Sequence, residues 1–235
     1  MKSNLSTVAL FCIILNASLL QTGLCQNNFG RLNTKPCLTG ELFSTEKLSF
    51  DTWFNKEWAQ GEILLVDGTV SRDSMIRYNS FLDELFWLEP VSGRTVKLDK
   101  LAIDEFRIIN PAENKNIIFR RLHTNSFFLA DSTDIFAEVL YSGGITLYLR
   151  HYFYFQGTQV TGPNNNRRLK DIYLESPVYY IKLKNNVLSE VHLRRKNLYA
   201  LFPDKTDAIR KYWRNHVVST PEEITWLAEF LDTLR

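Results

Sequence analysis

The chain has 235 residues, 45% of them hydrophobic and 13% aromatic, with 28 Lys and Arg against 26 Asp and Glu and a formal net charge of +2. This is enough for one large domain, or one domain with a smaller appendage. Near-zero net charge argues against general electrostatic binding to nucleic acid or membrane.

The first 25 residues read as a secretory signal peptide. Lys2 supplies a weakly positive start, and Val8 to Leu20 is an apolar run broken by Asn16 and Ser18. Gly23 and Cys25 put small residues three and one before a cut that leaves Gln26 first. The run is short for a bilayer span, so it is expected to be cleaved, with the mature chain exported to the periplasm, the cell surface or the medium. Leu24 stands where a lipoprotein signal needs a small residue, which argues against lipidation of Cys25. Cys12 and Cys25 fall within the signal, so Cys37 is alone after cleavage and an internal disulfide is excluded.

Residues 26–60 read as an extended amino-terminal arm, polar as far as Leu42 and then carrying Leu48, Phe50, Trp53, Phe54 and Trp58 as apolar anchors. From Gly61 to Leu193 the pattern is one of short strands between turn signals. Glu62 to Val66 and Ser74 to Asn79 flank Asp67-Gly68, a hairpin signal because glycine accepts a positive φ at no steric cost. Strands are expected at Glu84 to Leu88, Arg94 to Leu98, Ile103 to Ile109 and Ile117 to Leu122. Ile135 to Leu140 and Ile145 to Phe155 form the strongest hairpin, across Ser142-Gly143-Gly144. Gly157 to Lys170 reads as a long polar loop, followed by strands at Pro177 to Leu183 and Val187 to Leu193.

Residues 194–235 read as helical. Leu198, Leu201 and Phe202 mark a short helix that Pro203 ends. Asp204 is placed to cap a second helix, with Ile209, Tyr212 and Trp213 on its apolar face. Thr220, Pro221 and Glu223 form a capping box for a third, whose stripe is Ile224, Leu227, Phe230, Leu231 and Leu234. The expected fold is α+β: a mainly antiparallel sheet, curled into a roll or sandwich, with carboxy-terminal helices packed on it. The strands are too short and the tail too charged for an outer-membrane barrel.

Signatures of metalloproteases, nucleophile elbows, phosphate loops and dinucleotide folds are missing. Ser44-Thr45-Glu46-Lys47 matches SxxK, but its partner motifs do not occur. His123, His151, His192 and His216 have no second His or Cys at ligand spacing, so no metal and no cofactor are expected. His151, among Tyr148, Tyr152, Phe153 and Tyr154, reads as a hydrogen-bonded, partly buried imidazole. Asp83-Glu84 and Asp104-Glu105 read as solvated acids at strand starts, because adjacent strand residues face opposite sides. Two stretches are candidate binding surfaces: the aromatic positions Tyr148, Tyr152 and Tyr154, and the basic residues Arg194, Arg195 and Lys196. The latter begin a segment that continues through Lys205, Arg210, Lys211 and Arg214, opposed by Asp204 and Asp207. In an exported protein such a face can touch anionic lipid or lipopolysaccharide.

The run GEILLVDGTV…IRYNSFLDELFWL…VKLDKLAIDEF, and the later VYYIKLKNNVLSEVHLRRKNLYALFPDKTDAIRKYW, resemble exported proteins of unknown function from Gram-negative bacteria. Tyr78-Asn79 followed by Asp83-Glu84-Leu85 is the most recognisable part. The resemblance implies export and a β-rich body with a helical tail, and it supplies no activity. The leading expectation is therefore a non-enzymatic envelope or secreted protein that binds a partner or scaffolds a complex. Its partner would be an envelope protein, glycan or lipid rather than nucleic acid, with peripheral membrane contact at most. The alternatives are a carrier for a lipid or other apolar ligand, and a hydrolase whose residues converge from separate strands.

Overall fold

The computed structural model describes residues 38–44, 52–110, 115–124, 133–162 and 167–234. The signal peptide, Cys37 and most of the SxxK match lie outside them. One sheet of eleven strands dominates: β1 (Gly40–Leu42), β2 (Ala59–Leu65), β3 (Val70–Asn79), β4 (Glu84–Leu88), β5 (Thr95–Leu98), β6 (Ile103–Asn110), β7 (Lys115–Thr124), β8 (Thr133–Ser142), β9 (Thr146–Arg150), β12 (Val178–Lys182) and β13 (Leu188–Val191). Their spatial order is β1-β5-β4-β3-β2-β6-β7-β8-β9-β12-β13, and every pairing is antiparallel. Two further strands, β10 (Phe153–Thr161) and β11 (Arg168–Glu175), pair only with each other. Three helices close the chain: α1 (Arg195–Leu201), α2 (Thr206–Asn215) and α3 (Pro221–Thr233). The mainly antiparallel β body with a helical end is as the alternation of residues predicts.

The sheet curls. Tyr78 on β3 packs on Phe136 of β8, with ring centroids 6.1 Å apart, although β2, β6 and β7 lie between those strands in the sheet. The curl is filled with aromatic rings. Phe106 and Phe119 face each other across the β6–β7 register and stack at 4.8 Å, and Phe54 meets Phe119 edge-on at 4.9 Å. Tyr78, Phe106, Phe119 and Phe136 are all buried. On the opposite side of β7 and β8, the alternate residues Leu122 and Ile135 join Ala137, Tyr148 and Tyr180 in a second cluster.

Within the amino-terminal arm, Gly40–Leu42 add an edge strand to β5, and Trp53 is buried and bridges to Asn79. Two readings need correction. The hairpin after Gly143-Gly144 stops at Arg150, because the chain then leaves the sheet at His151 and Tyr152. The polar stretch from Gly157 is not a loop along its length: Gly157–Thr161 belongs to β10 and Arg168–Lys170 to β11.

At the far end of the sheet, Ile145, Leu147, Ile181 and Val191 form a third core with Leu198 of α1, Ile209 of α2 and Leu227 of α3. The capping box is present: Thr220 accepts from the Glu223 backbone, and Glu223 accepts from Thr220. Asp204 does not cap α2; it lies in a 3-10 turn, Pro203–Lys205, that leads directly into the helix. On α3, Asp232 accepts from the Gly144 backbone N–H at 2.7 Å and from the Tyr141 hydroxyl at 3.0 Å. A Cβ on Gly143 would come within 2.5 Å of that carboxylate and of the Tyr141 hydroxyl, so a larger residue there would have to displace these two side chains.

The stripe of α3 is buried through Ile224, Leu227, Ala228 and Leu231, while Phe230 is half-buried and stacks on Tyr212 at 4.5 Å. Leu227→Ala is expected to cost about 2–5 kcal/mol of stability through cavity formation, and Phe230→Ala less, about 1–2 kcal/mol. Urea unfolding of the two variants checks both the docking of α3 and this order.

Candidate functional site

The first polar centre is buried. Asp83, in the turn between β3 and β4, has a positive φ of 56° and is 6% exposed. Its Oδ1 accepts from the Tyr78 hydroxyl at 2.7 Å and from the Phe136 backbone N–H at 3.1 Å, and its Oδ2 accepts from Lys100 Nζ at 3.0 Å. Asp83 is therefore not a solvated acid at a strand start. Burial, and then the neighbouring carboxylate, push the Tyr78 phenol well above its ordinary pKa, so it serves as a hydrogen-bond donor rather than as a base. All the groups around Asp83 satisfy one another, which is the pattern of a structural lock between β3–β4 and β8.

The second centre is His151. Its Nε2 lies 2.8 Å from Glu138 of β8 and its Nδ1 lies 3.0 Å from Glu175 of β11. The ring also packs on Phe54, with centroids 4.8 Å apart. Burial alone would push the imidazole pKa down, but the hydrogen bonds and charges of Glu138 and Glu175 outweigh it and raise the value to about 9. The group is an imidazolium at neutral pH with both nitrogens engaged. A general base needs a free ring nitrogen at the operating pH, and His151 offers none. It reads instead as a clasp holding the base of the β10–β11 ribbon to the sheet. Partly buried and hydrogen-bonded is what its aromatic neighbours predict; the two carboxylates could not be foreseen from spacing. His123 also meets an acid, Asp134 at 3.0 Å, but on an exposed part of β7.

Among the described residues no group of three or more metal-ligating side chains converges with metal-site geometry. No described helix is long and apolar enough to cross a membrane.

The candidate surface residues separate. Tyr148 is buried in the second cluster, so it cannot line a surface groove; strand parity points it into packing. Tyr152 is half-buried, with the Arg150 guanidinium 5.0 Å from its ring centre. Tyr154 is 43% exposed on the ribbon. Arg194, Arg195 and Lys196 are exposed where α1 begins.

Of the ribbon, sequence reasoning picked out Tyr154 alone and missed the face that its two strands form together. In the β10–β11 register, Phe155 pairs with Tyr173 and Val160 with Leu169; the bulge between Phe155 and Gly157 shifts the alternation of β10 by one residue, so all four lie on one face. At the base of that face Tyr173 packs on Phe81 at 4.7 Å. Towards the tip the apolar groups are uncovered: Phe155 is 52% exposed, Val160 56% and Leu169 78%. The interspersed Val160 and Leu169 were the available signal, set among residues that read as a loop.

Comparisons with protein families, with curated proteins and with solved structures give no match.

Proposed function

We propose that this is an exported, non-catalytic protein that binds a protein partner through the β10–β11 ribbon. The observation that carries the reading is the apolar face of Phe155, Val160 and Leu169, presented on a two-stranded ribbon whose outer edges pair with nothing among the described residues. Exposed apolar residues on an unpaired strand edge are a template for another chain: backbone groups supply pairing, and alternate side chains supply specificity. The amino-terminal sequence supports export. The engagement of both His151 nitrogens favours binding over hydrolysis, and the aromatic filling of the curl favours it over ligand carriage.

A photo-reactive residue placed at Leu169 or at Val160 tests this in the native envelope. One discrete protein adduct is expected from both positions and none from Val91, which is 95% exposed on the β4–β5 turn. Absence of an adduct at both ribbon positions, or the same adducts at Val91, would overturn the reading.

A further inference from the structure

We infer that the α1–α2 face is a second, separate docking surface, and that its partner is an anionic phospholipid membrane. The charge of the chain is unevenly divided. Residues 194–216 hold seven of the 28 basic residues and two of the 26 acidic ones, leaving 21 against 24 in the remainder. All seven basic side chains are exposed, and among the described residues only Arg210 is ion-paired, to Asp207 at 2.8 Å.

The helical packing unites them. Ile209 and Leu198 turn into the third core, which leaves the opposite faces of α1 and α2 to solvent. Arg210 and Arg214 lie one turn apart on α2. The Arg195 guanidinium sits 5.7 Å from the centre of the Trp213 ring, which joins the Arg194–Lys196 cluster to the end of α2. The indole Nε1 of Trp213 is buried and lacks a hydrogen-bond partner.

Apolar groups border this face. Val217, just beyond α2, is 73% exposed. Trp226, one turn before Phe230 on the same side of α3, is 57% exposed, while Phe230 itself stacks on Tyr212 of α2. Long basic side chains that reach phosphate groups, beside a tryptophan and an aliphatic residue that enter the headgroup region, are what an interfacial anchor requires. A soluble polyanion would use the charge but leave Trp226 and Val217 without a role.

The test is sedimentation of the protein, purified from the compartment where it accumulates, with vesicles of phosphatidylcholine alone or mixed with phosphatidylglycerol. Binding to the mixed vesicles at low salt is expected, with loss at high salt and a blue shift of tryptophan emission. Reversing Arg210, Lys211 and Arg214 to Glu is expected to weaken binding by on the order of a hundredfold. These positions are exposed, and an unchanged circular dichroism spectrum shows that the variant is folded. Trp226→Ala should weaken binding without altering its salt dependence. Binding equal on neutral vesicles, binding insensitive to the charge reversal, or equal affinity for a single-stranded oligonucleotide would each overturn the inference. Because the ribbon is untouched by these variants, the outcome is independent of adduct formation at Leu169.

Discussion

Replacing Asp83 by alanine is expected to destabilise the protein by about 3–5 kcal/mol, the largest effect of any single polar substitution considered. The carboxylate satisfies three groups at once. Its removal leaves the Tyr78 hydroxyl and the Phe136 N–H without their acceptor inside the curl, and leaves Lys100, whose side chain is only 19% exposed, without its counter-charge. Alanine also tolerates the positive φ at this position poorly, whereas asparagine adopts it more readily. Asp83→Asn keeps Oδ1 as an acceptor for Tyr78 and Phe136 but loses both the charge and the acceptor for Lys100, so about 1–3 kcal/mol is expected. Urea unfolding followed by tryptophan emission measures both. Equal losses for the two variants would mean that the counter-charge to Lys100, rather than the acceptor for Tyr78 and Phe136, is the main contribution of Asp83.

Stability is expected to fall by roughly 3 kcal/mol as pH rises from 6.5 to beyond 9, because of His151. Its pKa rises from an unfolded value of 6.5 to about 9 in the folded protein. A raised folded pKa means that the native state holds its proton more tightly. The contribution is complete below 6.5, declines as the unfolded state loses its proton, and is gone above about 9. Each unit of difference is worth about 1.4 kcal/mol, and the side chain is 14% exposed, so solvent screening is small. Glu175 acts with the opposite sign. Its pKa is lowered by the hydrogen bond to His151, so its contribution is present above its unfolded value and is lost as pH falls through the lowered one. Unfolding free energies of the wild type and of His151→Gln at pH 6 and pH 9.5 check this. The variant should lose most of the alkaline fall. An equal fall in both would place the titration elsewhere.

Much of the fold is legible in the sequence because alternation and turn chemistry are local. Asp67-Gly68 and Gly143-Gly144 mark hairpins that exist, and Thr220 with Glu223 marks the start of α3 to the residue. The centres that hold the molecule together were less legible, because their partners are distant along the chain. Asp83 looks like any acid before a strand until the curl brings the Phe136 N–H to it across 53 positions. Alternation shows that Tyr148 and Leu149 face opposite sides, but not that both sides are packed there. The ribbon was less legible because its middle, Gly157 to Lys170, holds only Val160 and Leu169 as apolar residues, too few for a period to be read.

The β10–β11 ribbon leaves and re-enters the sheet at a single rung. Arg150, the last residue of β9, is paired with Val178, the first of β12. Without the intervening residues, β9 and β12 would be an ordinary hairpin, and no other rung of the sheet depends on the excursion. The loop-closure cost of carrying it grows only slowly with its length. Beyond its base, where Glu175 holds His151 and Tyr173 packs on Phe81, the ribbon can therefore be shortened, lengthened or exchanged while those contacts stay as they are, so the part proposed to choose the partner is one that can change without disturbing them.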